Sequence, residues 1–463
     1  MNAPALPRST PWLLFAALTA VAAGAVFGFL PQARTFTFAH GYFVVDATSR
    51  LFVLLINFVF LGVATHVFAG VRSGALTAER SGVFVGLAVA FIVAANLAVA
   101  SNHLILMWVF LEWTTLAATP LFQHGGGQAA RAGAWKYFLF SGVGLALAML
   151  GFACLARGSQ TIGVEPDFFG DSLASHASLQ RPDLWHRLGL VLLLLGFGTK
   201  LGLAPMFAWL PDTYEVAPAS VTALLAAVQF NVALVAVLRV LMALRPMDPQ
   251  LVTSVLMVMG LATMVMSSAG MIVTKNYKRL IAYASLNHGG VIAIGLGMGR
   301  AASYGVMLYV VSNAIIKAIL FLTAGKIQAH YKSQDVSQVS GLLRDLPYSG
   351  WFFMVGIFAL LGLPPFGSFL GELIMMSELI RLEHYGVFTA FCATLTVTFV
   401  ATARSVFPMI WGASRKRAEW RAQRFAESIP KLMLLVFLVA MGLFLPGPVN
   451  ALFQQVARDL GGT

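Results

Sequence analysis

Six ionisable side chains stand inside stretches that are otherwise apolar enough for lipid. They are Glu112 in LILMWVFLEWTTLAATPLF, Lys136 in AWKYFLFSGVG, Lys200 in GFGTKLGLAPMFAWLP, Lys317 in YVVSNAIIKAILFLTAG, Glu372 after GLPPFGSFLG, and Arg404 in TLTVTFVATARSVFPMIWG. A charge at the centre of a bilayer costs roughly 2.5–3.5 kcal/mol on insertion scales, so such groups usually face a bundle interior or a wet cavity. Carboxylic acids and amines in a low dielectric can store or release a proton as the distance between them changes. The chemistry on offer is proton carriage, with Glu112, Lys200, Lys317 and Glu372 as carriers. Arg404 keeps its proton and cannot relay one; its roles would be to face a carboxylate or lock two helices.

Each site also has a static reading. Glu112 can be a neutral, hydrogen-bonded acid, Lys200 can snorkel past the break that follows it, and Lys317 can belong to a fixed polar knot. Tyr309 and Asn313 lie eight and four residues before Lys317, on roughly the same helical face, and offer partners or water-ordering groups. Glu372 is either a site near a water exit or the polar cap of a re-entrant segment. Lys136 opens its apolar run, so an interfacial snorkeller is as good an account as a carrier. His288, in AYASLNHGGVIAIG, can titrate near neutral pH, yet reads more readily as a packing residue. Asp212 and Glu215 flank the WLPDTYEVAP turn, where helix capping by Asp212 or a partner contact accounts for them.

Groups at such depth need helices to hold them. The 463 residues are 59% hydrophobic and 10% charged, with mean hydropathy +0.82; a soluble domain carries about 25% charged residues. A spanning helix needs about 20 largely apolar residues. Thirteen candidates lie near 11–30, 47–70, 81–100, 103–122, 134–156, 187–206, 217–243, 249–273, 279–298, 303–325, 349–377, 385–411 and 430–453. The expected fold is an all-α, polytopic transmembrane bundle. Two of its helices are interrupted, one at Pro205 and Pro211 after Lys200, the other at Gly362-Leu363-Pro364-Pro365-Phe366-Gly367 before Glu372. A broken helix at membrane depth needs protein or water to meet its freed backbone groups. Paired Gly/Pro-interrupted segments in two halves point to a repeat-built transporter with its site near the midplane. The chain then divides into N-terminal helices (1–75), a first repeat (76–245), a second repeat (246–412), and a basic loop with a last helix (413–463).

Alternate loops hold about fifteen and about seven Lys and Arg. The richer set belongs in the cytoplasm by the positive-inside rule, with the N-terminus inside, the C-terminus outside and the inner (plasma) membrane as location. Arg415, Lys416, Arg417, Arg421, Arg424 and Lys431 supply much of that bias. The first apolar run lacks an obvious cleavage site and reads as a retained helix.

Other chemistries find no support. Cys154 and Cys392 lie in separate apolar runs and fit neither a disulfide framework nor a zinc or iron–sulfur site. No metal or cofactor site is expected, so a redox centre would belong to a partner. Gly125-Gly126-Gly127 follows no strand and precedes no lysine–serine pair, so it is a loop rather than a phosphate cradle. The net charge of +12 sits between apolar spans and does not indicate nucleic acid. The methionines from Met257 to Met271 have helical spacing and read as lipid-facing packing.

GFGTKLGLAPMFAWLPDTYEVAPASVTALL resembles the signature of the proton-conducting antiporter-like family, which includes the large membrane subunits of respiratory complex I and the Mrp sodium/proton antiporters. KRLIAYASLNHGGVIAIGLG, NAIIKAILFLTAGKI and GLPPFGSFLGEL fit the same family in the same order. SNHLILMWVFLEWTTLAATPL and AWKYFLFSGVGLALAMLG resemble the hydrogenase-4 and formate hydrogenlyase branch. The likeness covers roughly residues 45–412. It implies two inverted five-helix repeats, each with a broken helix, joined by a hydrated polar axis. Glu112 matches the family's channel glutamate, Lys200 the lysine paired with it, Lys317 the axis lysine of the second half, and Glu372 the terminal glutamate. The chain departs from the family where histidines often stand: here Asn313, Tyr309, Phe207 and Tyr214 occupy those positions. Asn231 replaces a lysine of some members. By the resemblance the chain lacks one N-terminal helix of the family, in keeping with an inside N-terminus.

The resemblance implies a proton-translocating membrane subunit of a larger oxidoreductase, without a catalytic centre of its own. Its partners would be other membrane subunits and a peripheral hydrogenase or formate dehydrogenase-like module. Alternatives are the membrane half of an inorganic-carbon uptake complex with a zinc-bearing partner, a Na+/H+ antiporter subunit, or a structural anchor that no longer conducts. Protons are the expected cargo, and sodium stays open.

Overall fold

In lipid, an apolar run can satisfy its own backbone only as a helix, and this chain does so almost throughout. The computed structural model describes residues 10–29, 35–74, 76, 82–161, 163–179, 182–414 and 427–460. A short hairpin, β1 (Phe36–Phe38) with β2 (Phe43–Val45), separates the first two helices, α1 (Thr10–Phe29) and α2 (Ala47–Ser73). Then come α3 (Gly82–Ala100), α4 (Leu104–Ala118) with a 3-10 extension to Gly125, α5 (Gly127–Thr161), α6 (Gly170–Leu179), α7 (Leu184–Leu201) and α8 (Trp209–Val216). A single span follows, made of α9 (Ala219–Leu224), a π-helical turn (Leu225–Gln229) and α10 (Phe230–Leu244). The later half runs α11 (Pro249–Val273), α12 (Tyr277–Gly297), α13 (Arg300–Tyr331), α14 (Leu342–Asp345), α15 (Pro347–Leu360), α16 (Gly367–Arg381) and α17 (Tyr385–Trp411). Two further helices, α18 (Ile429–Leu443) and α19 (Gly447–Asp459), complete the described chain.

Among the described residues, ten helices are long and apolar enough to cross a membrane, against the thirteen expected, and the protein is a multi-pass membrane bundle. The segment expected as one straight span at 430–453 is instead the pair α18 and α19, bent by 71° around Pro446. Lys431, counted among the loop charges, is buried in the first turn of α18, over the ring of Phe352. Arg415, Lys416, Arg417, Arg421 and Arg424 lie outside the described residues. The methionines of α11 do not all face lipid either. Met257, Met259, Met264 and Met271 are buried against neighbouring helices, while Met266 is exposed.

The most buried helices are α9–α10, α12 and α13, which form the centre of the bundle. They are apolar on nearly every side, as helices wholly inside a protein are. Around them, glycine lets backbones touch. A Cβ on Gly196 of α7 would lie 2.6 Å from the Gly144 carbonyl oxygen of α5, and Gly151 and Gly189 meet in the same way one heptad along. Gly305 of α13 and Gly371 of α16 repeat the device, with a Cβ on Gly371 only 2.7 Å from the Gly305 oxygen. Small residues at helix contacts are the usual means of close packing in membranes. Here they fix α7 and α16, the helices bearing Lys200 and Glu372.

Both interruptions close alike. Gly202 (φ 74°) and Gly362 (φ 65°) end their helices in the left-handed region. The next N–H then folds back onto a carbonyl five residues earlier, Leu203 to Gly198 at 2.9 Å and Leu363 to Phe358 at 3.1 Å. This is the terminal turn that glycine makes cheaply.

Candidate functional site

Lys200 sits in the last turn of α7, 2% exposed. Its ammonium donates to the Thr115 hydroxyl of α4 and lies 5.4 Å from the centre of the Tyr137 ring of α5. Glu112, one turn before Thr115 on α4, is close enough to interact electrostatically with Lys200. The carboxyl oxygen Oε2 of Glu112 and the hydroxyl of Tyr137 are buried with no protein partner among the described residues. Lys200 and Glu112 thus share one pocket, and Lys200 does not snorkel out.

From this pocket an aromatic series leads toward the centre: Tyr137 contacts Trp209 at 5.5 Å between ring centres, Trp209 contacts Tyr214, and Tyr214 meets Phe321 of α13 at 5.5 Å. Trp209 is held by an indole N–H to the Thr199 carbonyl, 3.0 Å. The break itself docks into the later half. The Ala204 N–H donates to the Thr263 hydroxyl of α11 at 2.8 Å, and Gly202 abuts Leu286 of α12.

Lys317 lies in the middle of α13, 1% exposed, its ammonium 3.7 Å from the centre of the Phe230 ring. Phe230 directly follows the π turn, where Gln229 and Asn231 are also buried. Both amide atoms of Gln229, both of Asn313, and the Asn231 oxygen lack protein partners among the described residues. His288 of α12 is near enough to Lys317 to feel its charge, and its Nδ1 bonds the Tyr309 hydroxyl. Tyr309 in turn interacts with the Glu372 carboxyl. Glu372, 6% exposed, packs onto the second interruption: a Cβ on Gly362 would lie 2.3 Å from its Oε2. It is a buried acid in the second turn of α16, whose N-terminus no side chain caps. His288 is buried, and its hydrogen bond joins α12 to Tyr309 of α13.

Lys136 and Arg404 stand apart. Lys136 has a half-exposed side chain that pairs with Asp212 at 2.6 Å. Asp212 does not cap α8, which has no side-chain cap; it lies in the first turn and also receives Arg279 at 2.9 Å. Arg279 continues to Glu215 at 3.1 Å, so this ion network ties α5 and α8 to α12. Arg404 is exposed on α17 and makes no ion pair or hydrogen bond with a described residue, so it locks no carboxylate there.

Four features escaped the sequence reading. Tyr137 is the buried neighbour of exposed Lys136, and a tyrosine in an apolar helix was its only signal. Gln229 and its π turn were signalled only by an amide inside an apolar span; such turns often mark functional positions. Lys278, 1% exposed, donates to the Ala217 carbonyl. Arg239 of α10 pairs with Asp46, the N-cap of α2, and donates to Ser49 at 2.8 Å. Nothing in the local sequence signals that last contact.

Residues 101–398 match the model of the NADH:quinone oxidoreductase/Mrp antiporter transmembrane family. The chain belongs to that family. It is 32% identical to a hydrogenase-4 component F homolog of Methylacidiphilum infernorum, over 73% of this chain and 72% of that one. It is 30% identical to NADH-quinone oxidoreductase subunit N of Desulforudis audaxviator, over 86% and 79%. Its fold superposes with TM-score 0.84 on a chain of the membrane-bound sulfane sulfur reductase, an archaeal respiratory membrane complex, at 22% identity and covering 97% and 92% of the two chains. The protein is an antiporter-like membrane subunit of the complex I, Mrp and hydrogenase type.

Proposed function

We propose that this subunit carries protons across the bilayer along a buried axis, Glu112 and Lys200 in the first half, Lys317 in the centre, and His288, Tyr309 and Glu372 in the second. Partner redox chemistry would drive the transfer, supplied by a peripheral hydrogenase or formate dehydrogenase-like module alongside other membrane subunits. The two halves would be inverted repeats, 76–245 and 246–412, each built around its interruption.

One observation supports this reading: buried or half-buried titratable groups, and buried polar atoms without protein partners among the described residues, occur together from Glu112 to Glu372, past both interruptions. Buried polar groups are nearly always hydrogen-bonded, by ordered water when protein does not serve. Gln229, Asn231 and Asn313 would hold such water between Lys200 and Lys317. An amine in this setting can accept a proton from one side and pass it on when its carboxylate partner moves. Lys136 and Arg404 have no part in the path.

The test is proton uptake into vesicles containing the intact complex, with Lys200→Met and Lys317→Met. Each should lower coupled uptake by about a hundredfold, the low end of what a positioned proton carrier contributes, while the complex still assembles. Unchanged uptake in both variants overturns the proposal. Uptake that requires sodium instead of tracking pH would assign the axis to the other cation.

A further inference from the structure

A cavity of about 740 Å3 opens on the outer flank of the later half, between the end of α11, the turn after α13 and the exposed face of α17. That volume lies within the usual range of small-molecule sites. Its walls include Ile272, Val273, Val397 and Val400, all exposed to the surroundings of the bundle. Its polar rim carries Lys275 and Arg404. Lys275 lies two residues beyond Val273, the last residue of α11, at the end of that span. Arg404 stands seven residues before the end of α17, about 10 Å deeper at 1.5 Å per residue.

Asp335 also lines the rim, but its carboxylate is committed. The Ser337 hydroxyl and N–H, each at 2.8 Å, hold it below the usual aspartate range. It therefore stays ionised and offsets one of the two cations. An arginine in a spanning helix is tolerated when a counter-charge or water meets it. Here the described protein provides Arg404 with neither an ion pair nor a hydrogen bond. The groove beside it is lined by Val397, Val400 and Ile272.

We propose that this groove binds one anionic phospholipid, with the phosphate between Lys275 and Arg404 and an acyl chain along Val397, Val400 and Ile272. Charge complementarity selects this occupant: a zwitterionic lipid brings its own cation to a rim that is already net positive. Basic pockets between spanning helices are known to select anionic headgroups. The guanidinium suits a phosphate because its fork can give two parallel hydrogen bonds. The site is separate from the proton axis and does not depend on conduction.

The experiment uses the intact complex in vesicles of phosphatidylcholine, with or without phosphatidylglycerol, and native mass spectrometry of the lipid retained. Wild type should retain phosphatidylglycerol over phosphatidylcholine. Arg404→Gln and Lys275→Gln should each weaken that retention about fivefold, the factor expected for one basic residue near an anionic surface. Val400→Trp, which fills the groove and leaves both charges, should abolish retention of either lipid. A photoreactive phenylalanine analogue in place of Val397 should cross-link to lipid. Equal retention of the two lipids by wild type, unchanged preference in the Arg404→Gln/Lys275→Gln double variant, or a cross-link to a co-purifying polypeptide overturns the proposal.

Discussion

Gly362→Ala tests the second half of the proposed axis without touching a titratable group. Gly362 has φ 65°, where an L-residue pays roughly 1–2 kcal/mol. The added methyl would also lie 2.3 Å from Oε2 of Glu372, 3.0 Å from its Cδ and 3.2 Å from Oε1. No relaxation of a few tenths of an ångström clears three such contacts, so the carboxyl must swing away. In doing so it leaves Tyr309, which His288 holds from the other side. A hydrogen bond to a charged group is worth about 1.5–3 kcal/mol, which corresponds to about tenfold to a hundredfold in the population of the connected arrangement. The expected outcome is an assembled complex, slightly less heat-stable, whose coupled proton uptake falls by that factor. Redox turnover measured with uncoupler should be spared. Glu372→Ala alone should lose uptake too, and adding Gly362→Ala to it should cost no further uptake, since the clash is gone. Wild-type uptake from an assembled Gly362→Ala complex would refute the idea that Glu372 must sit against the interruption.

Gln229→Leu should leave the thermal midpoint of the complex unchanged or raised, because two buried amide atoms without protein partners disappear; proton uptake should fall, and undiminished uptake would mean the path runs elsewhere. Asp183 caps α7 and accepts from His186 N–H at 2.9 Å. Burial pushes its carboxyl up, but the bonds from His186 and Thr161 outweigh this and hold it below the usual aspartate range. A depressed folded value means the stabilisation is complete above the unfolded value and is lost as pH falls through the folded one. Asp183→Ala should therefore cost about 0.5–1 kcal/mol at neutral pH and progressively less below about pH 4, read as thermal midpoints across pH; a pH-independent difference would contradict it.

Much of this molecule was legible because bilayer insertion writes strong signals. The spans follow from apolar length, and both interruptions follow from Gly202-Leu203-Ala204-Pro205 and Gly362-Leu363-Pro364-Pro365. Burial of Lys200, Lys317 and Glu372 follows from the scarcity of charge around them. What stayed hidden depends on which way a helix faces. A helix apolar on all sides carries no facing signal, so Lys136 and Tyr137, adjacent in sequence, could not be told apart, though one is exposed and the other touches Lys200. Arg404 shows the same ambiguity, since an arginine in an apolar helix looks alike whether it meets the bundle or the lipid. The pairing of Arg239 with Asp46 joins residues 193 apart, and distance in sequence leaves no local trace of it. The bend after α18 was missed because Val449, Ala451, Leu452 and Phe453 beyond Pro446 extend the apolar run of α18 to the length of one span.

The departures from the family pattern acquire a physical meaning in this geometry. Where the resemblance leads to an expectation of histidine, this chain places Tyr214 within an aromatic series and Tyr309 between His288 and Glu372. A phenol there can donate or accept a hydrogen bond, but it is not a base of the imidazole kind. An amide at 231 and 313 does not titrate at all. Transfer between Lys200 and Lys317 on the proposed path therefore cannot hop from one side-chain base to the next, and must pass through water ordered by Gln229, Asn231 and Asn313. The stretch between the two lysines should then respond to exclusion of water more than to removal of any one titratable group. Introducing histidine at Asn313 would restore a carrier beside Lys317 and should make uptake less sensitive to Gln229→Leu, whereas a path that never crossed this region would show no such rescue.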